Sequence, residues 1–207
     1  MYSVHVPIIN AAMRTSPDVF ARGVMFAILS ARVQFGRVPA AVKELDARGA
    51  QASCLWGFKR GAYDYLQTHK QELWLSVCAE PDTTNALALL TAIPGLGIVK
   101  GAFVLQMLGH DVACLDVRNV QREGLKPREW RTDGKKTGRG YLKKVSRYVA
   151  QTSGRARELW DTWCAEVGPD YGMTALECSA LHLRLIVPRS LRNLAPIAPQ
   201  TTHAIPF

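Results

Sequence analysis

The chain has 207 residues, a hydrophobic content of 48%, a charged content of 21% and a formal net charge of +9. That length suits one domain, or two small lobes sharing a cleft, and the composition excludes a disordered chain. No apolar run approaches the ~20 residues of a membrane span, and no signal pattern opens the chain, so no membrane partner and a cytoplasmic location are expected.

In chain order the first strong signal is Ser16-Pro17-Asp18, an N-cap, a proline at the first helical position and an early acid. Phe20, Val24 and Ile28 continue it as the buried face of a helix expected to reach Phe35, with Gly36 as its stop. A short helix follows at 39–47, ended by Gly49, and residues 55–78 read as two helices meeting near His69. Asp82 or Thr83 caps the next helix, which runs into Ile93-Pro94-Gly95-Leu96-Gly97. Gly95 and Gly97 permit a tight hairpin, and a second helix starts at Ile98. After Asp116 comes a loop over 124–139 rich in Gly, Lys and Arg. Helices are expected at 140–152, 154–166 and 174–185, the last opened by a Thr174/Glu177 capping box. Strand signals are scarce, apart from a short extended stretch at 112–117. The class is all-α: one domain over 1–187 and a proline-rich tail over 188–207.

The five cysteines are scattered, with no C-x-x-C pair, and His5, His69, His110, His182 and His203 have no metal-ligand spacing. No metal site is expected. The tryptophans read as core rather than as stacking platforms, with Trp56 and Trp130 in less regular stretches.

Hairpin amides and a helix N-terminus together form a site for an anionic oxygen, which a nucleic-acid phosphate fits without sequence preference. Between Arg118 and Arg147 eleven Lys or Arg face three carboxylates, a surplus of eight charges and an electrostatic footprint for a polyanion. Lys135, Lys136, Arg139, Lys143 and Lys144 are the candidate contacts in its second half. Asp116 suits a chemical role; the alternative, the N-cap of a helix starting at Val117, is compatible with it, since a cap fixes the carboxylate in place.

The segment "IPGLG", an apolar helix and then "LDVRN" resembles the helix-hairpin-helix DNA glycosylase superfamily, in which L-P-G-[VI]-G is followed about twenty residues later by V-D-T-H or V-D-V-H. "FAILSARVQF" at 26–35 resembles the family helix that ends in L-L-S-A-Q. The resemblance implies a two-lobed helix-hairpin-helix fold, with Gly95, Leu96 and Gly97 on the DNA backbone and Asp116 as the catalytic carboxylate. It places Arg32 or Gln34 where the family's stack-filling Gln stands, and a plain surface role is equally open to each. Where bifunctional members carry an attacking Lys, this chain has Val99; Lys100 comes next, rotated by ~100°. Lys100 is therefore read as a second catalytic candidate or as a phosphate or surface contact. Arg118-Asn119 replaces the family's His and apolar residue, and both are candidate DNA contacts. Cys164 and Cys178 cannot supply the four closely spaced ligands of the family's iron-sulfur cluster, so no cluster is expected; a monovalent cation at the hairpin is compatible with the resemblance.

The stretch from Ile93 to Asn119 also resembles small phage-encoded glycosylase-like proteins, some of which act in thymidine hypermodification. The expected reaction is transfer of an amine or amino acid onto an activated phosphomethyl-type uracil in double-stranded DNA, by a monomer in the host cytoplasm. The alternatives are a DNA glycosylase that excises a modified base and a non-catalytic DNA-binding module.

Overall fold

The computed structural model describes residues 1–126, 129–130 and 136–192. The described residues are helical throughout their regular parts, with no strand among them. The chain is all-α, and residues 112–115 are an extended loop.

Helix α1 (Tyr2–Thr15), which no sequence signal announced, carries Pro7 in its interior and buries His5, Val6, Ile9, Ala12 and Met13. Its burial against later helices outweighs the ~3 kcal/mol that an interior proline typically costs. Helix α2 (Pro17–Leu29) starts as expected, the Ser16 hydroxyl accepting the Asp18 N–H at 3.2 Å. Ten of its thirteen residues are buried, which makes it the central helix. It ends at Leu29 and not at Phe35: Arg32 takes a left-handed backbone (φ 59°), and Phe35–Arg37 form a separate 3-10 turn.

Helix α3 (Val38–Arg48) ends at Gly49 as expected, with a positive φ there. Helix α4 (Phe58–Ala79) is one helix of 22 residues where two were expected. Ala62, Leu66, Leu73 and Val77 lie on one buried face at helical spacing, so the helix continues through the polar run near His69, where the same face carries the half-buried Lys70. Helix α5 (Thr83–Thr91) is capped by Asp82, which accepts the Asn85 N–H at 2.8 Å.

Helix α6 (Ile98–Met107) follows the hairpin, and Gly101 lets it approach α5: a Cβ there would lie 2.8 Å from Leu87 Cδ1. Helices α7 (Val117–Arg122), α8 (Arg139–Thr152), α9 (Ala156–Val167) and α10 (Ala175–Ile186) complete the chain, with the Thr174/Glu177 capping box formed. A 3-10 turn at Arg189–Leu191 continues regular structure past the expected start of the tail at 188; residues 193–207 lie outside the described part.

One contiguous hydrophobic core runs from α1 to α10. Helix α2 is packed by α1, α3, α4, α6 and α10, while α1 also closes onto α9 and α10. No helix among the described residues is long and apolar enough to cross a membrane.

Candidate active site

Between α2 and α6 on one side and α7, α9 and α10 on the other lies a cavity of about 1120 Å³. Asp116, Lys100, Arg32, Gln34, Arg118 and Gly97 all line it, so the sequence-predicted residues from three separate segments meet at one place. Its inner wall is aromatic. Phe35 stacks on His182 with centroids 5.3 Å apart, and Phe103, Trp160 and Trp163 meet the same imidazole at 5.9, 4.9 and 5.5 Å. Burial pushes the pKa of His182 down to about 4, so its ring is neutral near neutral pH.

Asp116 is both cap and cavity residue. One carboxylate oxygen accepts the Asn119 N–H at 3.0 Å as the N-cap of α7, and the other accepts the Trp163 indole N–H at 2.5 Å. Two donors from different helices fix the group, and each oxygen keeps a lone pair for a third partner. The loop that delivers it is pinned by side chains. The Tyr148 hydroxyl donates to the Ala113 carbonyl at 2.8 Å and accepts the Leu115 N–H at 2.9 Å. Gln106 accepts the Cys114 N–H at 3.2 Å, and Asn119 donates to the Cys114 carbonyl at 2.6 Å. An extended loop without strand partners must pair its buried amides in this way.

Asn119, expected as a DNA contact, is 2% exposed and lies in the cavity wall; its amide oxygen also accepts from Arg122 at 2.6 Å, so it positions the loop. Lys100 resolves in the opposite direction. Its ammonium points into the cavity, donating to the Ser30 hydroxyl at 2.9 Å and lying 5.4 Å from the Phe103 ring. The side chain is half-buried. Tyr148, Gln106 and Trp163 had no local signal, because each acts across 8 to 47 residues of sequence.

The hairpin forms as a tight turn. Gly95 has φ +76°, and a Cβ there would lie 2.4 Å from Phe58 Cδ2, so both backbone and packing demand glycine. Gly97 is extended (φ −93°), so its expected special backbone angle is not used. Leu96 is also corrected as a contact: its side chain is fully buried and its N–H is taken by the Ile93 carbonyl at 3.1 Å. The outward amides are those of the first turn of α6, which have no intrahelical acceptor. Phe58 links this turn to Arg32, whose guanidinium lies 5.6 Å from its ring. Trp56, 50% exposed and edge-on to Phe58 at 6.3 Å, adds an aromatic surface beside it that the sequence had assigned to the core.

The basic segment is less free than its composition suggested. Arg118 pairs with Asp170, Arg122 with Glu166 and Glu123, and Arg147 with Glu129. The Arg118 pair is half exposed, and such a pair contributes ~0–1 kcal/mol, so a phosphate can displace it. Arg139 and Lys143 are exposed on α8 and Lys144 is half-buried there; none of them lines the cavity. Lys135 lies outside the described residues. Lys136 turns inward, its ammonium donating to the carbonyls of Thr91, Leu96 and Ile93 at 3.0, 2.9 and 3.4 Å. It is a hairpin residue rather than a surface contact.

Among the described residues no group of three or more His, Cys, Asp or Glu is placed to hold a metal ion. Cys164 of α9 and Cys178 of α10 are free and buried. His110 lies away from the cavity, its ring against Thr83 at 3.3 Å, and burial lowers its pKa. No family model matches this chain, and neither a curated protein nor a solved structure gives a significant match to it.

Proposed function

We propose that this protein is a DNA-base-acting enzyme on a helix-hairpin-helix glycosylase scaffold, which turns a modified pyrimidine out of the duplex into the aromatic cavity. The observation that carries the reading is Asp116: a carboxylate held by two donors at the mouth of an aromatic cavity, with Lys100 inside and the hairpin alongside. A flipped base needs stacking surface and a polar partner, and removing it from the stack costs a few kcal/mol that stacking on Phe35 or Trp163 offsets. Arg32 and Gln34, on the rim, fill the gap left in the stack.

The preferred reaction is transfer of an amine or amino acid onto the 5-methylene of a phosphomethyl-type uracil. The amine nitrogen bonds to the methylene carbon, the carbon–oxygen bond to phosphate breaks, and Asp116 takes the amine proton. The Lys100 ammonium meets the charge of the departing phosphate. The size of the cavity favours this reading: about 1120 Å³ exceeds the ~300–1,000 Å³ typical of a single-ligand pocket and leaves room for two substrates. Base excision is the second reading, favoured by Lys100, an amine inside the cavity as a bifunctional glycosylase requires.

Mass spectrometry of nucleosides from duplex DNA carrying phosphomethyluracil, incubated with and without free amino acids, separates the two. A heavier thymidine with intact glycosidic bonds is expected; abasic sites formed without amine would replace transfer by excision. Asp116→Asn keeps a good N-cap residue, so it should fold and bind duplex yet lose at least ~100-fold in turnover. Unchanged turnover would remove Asp116 from the chemistry. If the wild type forms neither product but binds duplex, the enzymatic reading fails and a binding module remains.

A further inference from the structure

The carbonyls of Thr91 and Ile93, at the C-terminal end of α5, and of Leu96, inside the turn, converge on one point. All three acceptors are neutral backbone dipoles, and the helix C-terminus adds its own negative end. Converging carbonyls of this kind replace the hydration shell of an alkali cation. Here the point is filled by the Lys136 ammonium, whose three N–H groups match three acceptors one for one. A free cation does not fit beside it. We propose that Lys136 is the hairpin's own cation: an ammonium tethered to the chain that takes the place of K⁺ or Na⁺ and makes the hairpin's hold on phosphate indifferent to the alkali ion present.

Two further features agree. Lys136 lies two residues before Gly138, whose positive φ opens α8, and α8 packs on α5, so the tether is short and its far end is anchored. Burial lowers the pKa of the ammonium, as expected for a cation that has exchanged water for carbonyls. The site also joins the basic segment to the turn, so the positive charge beneath the hairpin comes from the same stretch as the surface charges around it.

The cation site stands on geometry alone, while the phosphate half rests on the DNA reading above, and the experiment separates them. Thermal melts of the wild type and of Lys136→Met are compared in KCl, NaCl and tetramethylammonium chloride at equal ionic strength. The wild type should melt within about 1 °C in all three, since its site is already filled. Lys136→Met should melt several degrees lower in tetramethylammonium, which is too large for three carbonyls, and recover in K⁺ or Na⁺. A wild type that gains as much from K⁺ as the variant, or a variant that no alkali ion restores, overturns the proposal. Should the variant not fold, ¹⁵N-lysine NMR of the wild type decides it: one slowly exchanging NH₃⁺ signal is expected, and its absence overturns the site. For phosphate, wild-type affinity for a labelled duplex should be equal in K⁺ and tetramethylammonium. That of the variant should fall ~10-fold in tetramethylammonium and return with K⁺. If neither protein binds duplex, the DNA reading fails while the melts still decide the cation.

Discussion

Asp116 shows how much positioning one carboxylate can receive. Left at the end of a loop it would rotate about two side-chain bonds; here the α7 amide and the α9 indole hold one oxygen each. Hydrogen bonds to a charged group typically contribute ~1.5–3 kcal/mol, against ~0.5–1.5 for neutral pairs, so losing the indole donor should be visible in turnover. Trp163→Phe keeps an aromatic ring near Phe35 and His182 and removes only that N–H. Turnover should fall by ~10-fold or more with KM and melting temperature little changed. A lower melting temperature at unchanged turnover would show that Trp163 merely packs.

At the scale of elements, the site is a loop and two helix ends held by side chains from elsewhere. Tyr148 of α8 pairs two backbone groups of the loop at once, and full burial pushes its own pKa well above the usual tyrosine range. Tyr148→Phe leaves the buried Leu115 N–H and Ala113 carbonyl without that partner, a loss of ~1–3 kcal/mol. Urea unfolding should show a lower midpoint at unchanged slope; an unchanged midpoint would mean the loop is held without it. The C-terminal ends of α2 and α5 are finished alike. The fully buried Lys59 donates to the Leu29 carbonyl at 3.1 Å as Lys136 does to Thr91, so each cation meets the negative end of a helix. What was legible in the sequence follows from these distances along the chain. Ser16, Asp82, Asp116 and Thr174 act within three residues, and each cap formed as read. The grip of Trp163 on Asp116 spans 47 residues and that of Lys136 on Leu96 spans 40, so no local pattern marks either. No cap or stop signal marked α1, and a break was expected near His69 in α4; tertiary packing decided both.

For the whole molecule, three histidines bind stability to pH with one sign. Burial lowers the pKa of His5, His110 and His182, the last to about 4, whereas unfolded histidines titrate near 6.5. Between these values the unfolded chain binds more protons than the folded one. Stability is therefore full above pH ~6.5 and falls as the pH drops, by about 3 kcal/mol at pH 4 for His182 alone. Urea unfolding at pH 7.5, 6, 5 and 4.5 should trace this loss, and His182→Phe should flatten most of it. The depressed carboxyl pKa values of Glu44, Glu123, Glu158 and Glu177 act with the same sign, but only as the pH falls through the carboxylate range, so they do not account for a loss that begins near pH 6.5. A stability that stays level from pH 7.5 to 5 would contradict the burial of these rings.

The indole that grips Asp116 is also a fluorophore. Trp163 stands in the cavity wall with its N–H on the carboxylate and its ring edge against Phe35, so whatever enters the cavity changes the solvent and charge that its excited state meets. The difference in emission between the wild type and Trp163→Phe isolates this one indole from the other four tryptophans. The cavity thus carries its own optical reporter, readable in stopped flow for any molecule that enters it.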